Sequence, residues 1–227
     1  MNIAVIPARG GSKRIPGKNI KSFSGQPMIS WAIETAKSSN LFDHIIVSTD
    51  DEEIATIART WGAEVPFMRP SDLADDFTAT VPLIAHAAKT CISYGWEVDY
   101  ICCIYPCAPL LQLDDLVSAF DLLKAENVDF AYPVTEYAHP IQRAMRRLNN
   151  GKMQFIDPKN ALARTQDLEK TYHDAGQFYW GKTSAWLEQK MMHTDGLGMP
   201  IPHWKVVDID TTDDWKRAEI LFKTLHG

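Results

Sequence analysis

Two short stretches of this sequence carry residue types and spacings that could do chemistry. The first is Arg9-Gly10-Gly11-Ser12-Lys13-Arg14-Ile15-Pro16-Gly17-Lys18-Asn19, directly after the hydrophobic run Asn2 to Ala8. No Asp or Glu precedes Glu34, although the whole chain has a formal net charge of −6. The loop therefore reverses the sign of its surroundings. Glycines let a backbone turn tightly and approach a ligand closely, and guanidinium and ammonium groups hold anions. Placed at the carboxyl end of a first strand, such a loop suits phosphate. A solvated basic loop would explain the charges, but not the glycines, the position after the strand or the lack of acids.

Two familiar phosphate loops do not fit. A Walker A motif has four residues between its glycines and then Lys-Ser/Thr. Here five residues separate Gly11 from Gly17, and Asn19 follows Lys18. The Rossmann pattern Gly-x-Gly-x-x-Gly is absent, and the long basic insertion does not suit a dinucleotide. A loop that wraps, with Arg9, Lys13 and Lys18 as side-chain cations, suits a nucleoside triphosphate.

The second stretch is Val207-Asp208-Ile209-Asp210-Thr211-Thr212. In extended chain, residues i and i+2 share a face, so Asp208 and Asp210 can aim two carboxylates at one point. Paired carboxylates repel unless a cation lies between them, and oxygen ligands beside phosphates suit Mg²⁺. The alternative is that Asp210 caps the following helix and Asp208 is solvated.

The elements that must hold these stretches follow a strand–helix alternation. After the first strand, the pattern predicts a helix over 27–38, with Met28, Trp31, Ala32 and Thr35 on one side. A strand is expected at 44–49, then a helix capped by Asp50, a weak strand at 63–67 and a helix over 78–94. Next come a buried strand at 99–104, a helix at 114–125 and a strand at 128–134. The rhythm predicts an α/β fold with a doubly wound, mostly parallel sheet and ligands at the strands' carboxyl ends. Around 135–170 it breaks: Asn149-Asn150-Gly151 signals a hairpin, followed by a polar irregular stretch. This segment is expected to project as a lid or dimer contact within one domain spanning 1–227. Strand and helix resume at 177–189. A strand at 201–207 then leads to Asp208, and Thr211 with Asp214 forms a capping box for the last helix.

The acidic balance argues against nucleic acid as a partner. No apolar run reaches the ~20 residues of a membrane span, and no leader precedes the first strand, so a cytoplasmic location is expected. Cys91, Cys102, Cys103 and Cys107 lack metal-site spacing and read as free thiols. The adjacent Cys102 and Cys103 should face opposite sides of a strand.

The segment Pro7 to Asn19 resembles the signature loop of the cytidylyltransferases that activate nine-carbon acidic sugars, such as the CMP-sialic acid synthetases. Ile46-Val47-Ser48-Thr49-Asp50, Arg69-Pro70-Ser71-Asp72-Leu73-Ala74 and Asp208-Ile209-Asp210-Thr211 match in order, nearly spanning the chain. The resemblance implies CMP transfer from CTP to a nonulosonic acid sugar with release of pyrophosphate, Mg²⁺ dependence and a homodimer. It implies a nucleotide site of Ala8, Arg9, Gly10, Ser12, Lys13, Lys18 and Asn19, with Arg69 by the cytosine and Thr78 and Thr80 by base and ribose. Arg9, Lys18, Asp208 and Asp210 match catalytic positions, and the two aspartates match the metal ligands.

The sugar side departs from the sialic acid enzymes. Where those read Gln-Pro-Thr-Ser-Pro-Leu-Arg, this chain has Tyr105-Pro106-Cys107-Ala108-Pro109-Leu110-Leu111. Where they read Arg-Pro-Asn-Gly-Ala-Ile-Tyr, it has His173-Asp174-Ala175-Gly176-Gln177-Phe178-Tyr179. Both segments resemble the pseudaminic acid cytidylyltransferases, whose sugar ends in a methyl that a Tyr/Cys/Ala-lined loop would accept. The expected sugar contacts are Tyr105, Pro106, His173, Gln177 and Tyr179. Arg164 is expected on the carboxylate, and Arg143 on the contact that a lysine makes where this chain has Gln142. Of Tyr179 and Trp180, which alternate, Tyr179 is expected to face the ligand. Sialic or legionaminic acid remains an alternative acceptor, and a non-catalytic nucleotide-binding regulatory module remains an alternative role.

Overall fold

The computed structural model describes residues 1–75 and 78–226. Strand β1 (Asn2–Pro7) runs into the basic loop and a small hairpin, β2 (Ser22–Phe23) with β3 (Gln26–Pro27). Helix α1 (Met28–Ser39), strand β4 (His44–Ser48) and helix α2 (Glu52–Thr60) follow. Then come α3 (Thr80–Ser93), β5 (Tyr100–Ile104), α4 (Leu113–Ala125) and β6 (Phe130–Glu136). The exposed hairpin β7 (Met145–Arg147) and β8 (Met153–Phe155) forms a separate two-stranded sheet. The chain returns through β9 (Tyr172–Asp174), β10 (Phe178–Lys182), α5 (Thr183–Leu187), β11 (Gly196–Pro200) and α6 (Thr212–His226).

The main sheet has the order β11-β6-β10-β5-β1-β4, with β9 paired to β6. Strands β4, β1, β5, β6 and β11 share one direction, and β9 and β10 oppose them. From β1 the chain goes outward to β4 and returns on the other side to β5. The sheet's switch point is therefore the crevice between the carboxyl ends of β1 and β5, where open α/β sheets bind ligands.

Period-two alternation builds the core on both faces. Ala4, Ile6, Cys102, Ile104, Phe178 and Trp180 face α1, α2 and α4. Ile3, Val5, Ile101, Cys103 and Tyr179 face α3 and α5. The adjacent cysteines thus point to opposite faces, all four cysteines are free thiols, and Tyr179 and Trp180 part as the alternation requires. A third cluster joins Ile15 of the basic loop, Val207, Ile209 and, from α6, Trp215 and Phe222. It bolts the two ends of the chain together beside the switch point. Among the described residues no helix is long and apolar enough to cross a membrane.

Four local expectations change. Asp51, not Asp50, caps α2, accepting from Glu53 N (2.8 Å) and Ile54 N (3.0 Å). Residues 63–67 contribute only an isolated bridge, Ile46 to Glu64. The buried side of α1 is formed by Met28, Ile29, Ala32, Ile33 and Ala36, while Trp31 and Thr35 are only partly covered. The last sheet strand is Gly196–Pro200, and 201–210 is irregular with a short turn at His203–Lys205. Two prolines, Pro200 and Pro202, remove ladder donors and end the strand early.

Candidate active site

The basic loop closes over the carboxyl end of β1. Gly17 has φ +61°, a left-handed turn that favours glycine, and Lys18 N and Ile20 N fold back onto the carbonyls of Ile15 and Gly17. Gly10 lies so close to α2 that a Cβ there would stand 2.5 Å from Asp51 Oδ2. Its N–H donates to Asp50 Oδ1 (3.1 Å), which gives the displaced capping residue a role in holding the loop. Asn19 is buried, donates to the Arg9 carbonyl (2.9 Å) and accepts from the Cys107 thiol (3.2 Å). The loop is thereby tied to the turn after β5.

Two cavities open at the switch point. The first, about 680 Å³, is lined by Arg9, Ser12, Lys13, Arg14, Lys18, Asn19, Arg69, Thr78, Thr80 and Tyr105 to Cys107, among others. This is most of the predicted nucleotide set, gathered from separate segments onto one wall. Ala8 and Gly10 lie outside the lining, and their N–H groups are spent on the Ser48 carbonyl (2.9 Å) and Asp50 Oδ1. Arg9 Nη1 donates to the Asp75 carbonyl (2.5 Å), and Thr78 N and Oγ1 donate to Asp75 Oδ1 (2.7 and 2.6 Å). Arg69 is buried and bonds the Ser48 hydroxyl (3.2 Å) and carbonyl, and desolvation lowers its pKa. Burial pushes the Cys107 thiol up to about 12, against the pull of nearby Lys18.

The second cavity, about 600 Å³, is lined by Thr135, Glu136, Ala138, His173, Asp174, Ala175, Tyr179, His203, Val206, Asp214 and Arg217, among others. Tyr105, Gly176, Val207 and Asp208 line both cavities, so Asp208 stands at their seam. Asp208 is held by its neighbours: Val207 and Ile209 are buried, and Asp208 faces out. The i, i+2 alternation survives without a strand. Desolvation first, then the charge of Asp210, raises the Asp208 pKa. Asp210 sits outside both linings, against Arg14 Nη1 (2.6 Å) and Lys18 Nζ (3.8 Å). Lys18 also donates to the Ile209 carbonyl (2.7 Å), and Asp214 completes the expected capping box with Thr211.

A pair of packed tyrosines joins one cavity to the other. Thr80 Oγ1 meets the Tyr105 hydroxyl (2.7 Å), which burial pushes up to about 12, and the Tyr105 ring packs edge-on against Tyr179 with centroids 5.4 Å apart. Tyr179 donates to Asp174 Oδ2 (2.6 Å), and His193 Nε2 meets the same oxygen (2.9 Å).

Several predicted sugar contacts lie elsewhere. Arg143 bonds Thr165 Oγ1 (2.6 Å), and Arg164 pairs with Asp167 (2.6 Å); within this chain neither lines a cavity. Gln177 is buried behind the site, donating to the Lys205 carbonyl (2.7 Å). Ala108 belongs to the core, and Cys107 and Pro106 face the first cavity, so the aliphatic lining of the second comes from Ala138, Ala175, Val206 and Val207. Sequence reasoning missed Asp174, His193, His203 and Arg217. Arg217 lies one helical turn beyond the capping Asp214, a spacing that could have flagged it.

A family profile described as cytidylyltransferase matches residues 3–193. A pseudaminic acid cytidylyltransferase of Campylobacter jejuni is 42% identical over 99% of this chain and 97% of its own. N-acylneuraminate cytidylyltransferase A of Danio rerio is 33% identical over 95% of this chain and 49% of its own length. Among solved structures, a CMP:2-keto-3-deoxy-manno-octonic acid synthetase complexed with CTP superimposes with a TM-score of 0.71, covering 99% of each chain at 15% identity. At that identity the likeness shows the fold.

Proposed function

The chain belongs to the cytidylyltransferase family, and on that premise we propose that it transfers CMP from CTP to the anomeric hydroxyl of a nine-carbon acidic sugar, pseudaminic acid. The observation that carries this reading is the meeting of the basic loop with the Asp208 segment at the seam of two cavities. One cavity is cationic and suits a triphosphate; the other is polar with an apolar wall and suits a sugar. The sugar oxygen attacks the α-phosphorus at that seam, the bond to pyrophosphate breaks in line, and CMP-sugar forms.

Arg9, Ser12, Lys13 and Lys18 hold the triphosphate, and Asn19 fixes the loop that carries them. Arg9 and Lys18 stabilise the negative charge that builds during displacement. A triphosphate competes with Asp210 for Arg14 and Lys18. Arg69, Thr78 and Thr80 line the base and ribose end. Asp208 and Asp210 offer hard oxygen donors; burial first and then repulsion from Asp210 raise the Asp208 pKa, and a cation relieves both. Among the described residues no cluster of three or more His, Cys, Asp or Glu could hold a metal alone. That fits Mg²⁺, which takes one or two carboxylates and completes its shell with phosphate oxygens and water. When bound it supplies charge neutralisation at the phosphate.

Arg217 lines the sugar cavity, and its guanidinium suits the sugar carboxylate, a role that Arg164 does not fill within one chain. Ala138, Ala175 and Val206 offer the methyl of pseudaminic acid an apolar wall. The segment around 135–170 exposes Met145, Met153, Ile156 and Leu162, the last at 98%, and such a patch supports a homodimer formed there. CTP as substrate supports a cytoplasmic enzyme.

The test is pyrophosphate release from CTP and Mg²⁺ with pseudaminic acid or sialic acid. Faster release with pseudaminic acid is expected, with CMP-pseudaminic acid as product. Preference for sialic acid would favour the activity named for the Danio rerio relative. CTP binding without release for any sugar acid would leave only a nucleotide-binding module.

A further inference from the structure

Tyr105, Gly176, Val207 and Asp208, which line both cavities, come from three separate stretches of chain. All three stretches meet at Gln177. Gly176 precedes Gln177 in the chain, and the Gln177 carbonyl accepts from Tyr105 N (2.8 Å). The Gln177 side chain reaches the third stretch: its Nε2 donates to the Lys205 carbonyl (2.7 Å), three residues before Asp208. Gln177 is 2% exposed and lines neither cavity, so it holds the seam from behind.

The third stretch needs such a tie. Residues 201–210 form no strand, so no ladder fixes Asp208. Ile201 N is anchored on the Val134 carbonyl (2.8 Å), and just beyond Asp208 the Ile209 carbonyl accepts from Lys18 Nζ (2.7 Å). Between these ends Lys205 supplies two ties. Its carbonyl takes the Gln177 amide, and its ammonium lies 3.0 Å from both Asp115 oxygens. That ion pair is mostly covered, with side chains 18% and 13% exposed. Water competes for it poorly, and either charge left alone there is unfavourable. Asp115 stands in the first turn of α4, and Trp180 Nε1 of β10 donates to the neighbouring Leu116 carbonyl (3.1 Å). The tether is thus rooted in the sheet.

We propose that Gln177 and the Lys205–Asp115 ion pair are positioning residues that set where Asp208 stands between the two cavities. The proposal rests on the transfer reading above, in which Asp208 acts at that seam. Gln177, Lys205 and Asp115 line neither cavity, and they act through the main chain that leads to Asp208. In a strand the ladder would hold the carboxylate; here covered side chains behind the site take its place. The rate is sensitive to such support, since a misplacement near 1 Å costs on the order of 10²-fold.

The test is steady-state pyrophosphate release from CTP, Mg²⁺ and pseudaminic acid by substituted enzymes. Gln177→Met keeps the length of the side chain and removes its donor. It also removes Oε1, which is buried without a partner, so Tm should move by less than about 4 °C. Its kcat should fall about 10- to 100-fold, while the CTP KM stays within about twofold of wild type. Lys205→Met should lower kcat in the same way. Lys205→Arg, whose guanidinium can still grip Asp115, should keep kcat within about threefold of wild type. This second pair of variants keeps the proposal refutable if Gln177→Met does not fold. In an Asp208→Asn background, Gln177→Met should cost less than about threefold more, because its effect passes through Asp208. A wild-type kcat in Gln177→Met or Lys205→Met overturns the proposal. So does a Lys205→Arg enzyme as impaired as Lys205→Met, or the full Gln177→Met loss repeated on top of Asp208→Asn. Full turnover by Asp208→Asn alone would instead refute the role of Asp208 on which the proposal rests.

Discussion

Replacing Gly10 with Ala tests whether the phosphate loop is clamped against α2. The new Cβ would stand 2.5 Å from Asp51 Oδ2 and 3.0 Å from Asp51 Cβ, whereas ordinary contacts begin near 3.4 Å. Something must move by about 0.9 Å, and there are two ways to do it. Asp51 can swing away, releasing Glu53 N and Ile54 N and costing about 1 kcal/mol of helix capping. For a chain of this size that lowers Tm by roughly 2–4 °C. Alternatively the loop shifts, carrying Arg9 and Ser12 with it and loosening the Gly10 N–H bond to Asp50. A misplacement near 1 Å costs on the order of 10²-fold in rate. Differential scanning calorimetry and steady-state pyrophosphate release distinguish the two routes, and at least one must change. A variant with unaltered Tm and with kcat and CTP KM within about twofold of wild type would refute the clamp.

Other substitutions read the site differently. Asp208→Asn should reduce turnover by about 10²- to 10³-fold without destabilising the fold. Because burial and Asp210 raise the folded pKa of Asp208, the folded state binds more protons than the unfolded chain just above the ordinary carboxylate range. Stability from this group therefore falls as pH rises through that window. The neutral variant should be at least as stable as wild type at pH 7, with the difference shrinking toward acid; a less stable variant at pH 7 would contradict the assignment. Cys107, whose thiol is pushed up to about 12, should resist iodoacetamide at pH 8 in the folded protein and react on unfolding, as followed by mass spectrometry. Rapid labelling in the native state would mean that the turn after β5 is not packed against Asn19.

Much of the architecture was legible because it is written in local periodicity. The alternation in β1 and β5 faithfully assigns Cys102 and Cys103 to opposite faces, and the Asn149-Asn150-Gly151 turn marks the β7–β8 hairpin. Errors arose where two neighbours competed for one role. Asp50 and Asp51 are equally good caps by type, and only packing against Gly10 assigns them, one to the loop and one to the helix. Likewise Ile201 to Val207 has strand-like composition, but the ladder to β6 is completed by Gly196–Pro200, where glycines allow close approach to Phe130 and Val134.

The site divides along the same line. Residue type, charge and spacing alone marked the basic loop and the aspartates of 208–210, since a glycine-rich cationic loop after a strand and a pair of i, i+2 carboxylates are local signals. They could not reveal that Asp208 stands at a seam while Asp210 leans on Arg14, or that Arg164 spends its guanidinium on Asp167. Nor could they reveal that Asp174 and Arg217 line one cavity. Those facts depend on which distant segments meet, and that is decided by the burial of Val207, Ile209 and Trp215 against the loop and by β9 pairing back onto β6. Long-range packing leaves no period in the sequence, so only the folded chain shows where its cations and carboxylates end up.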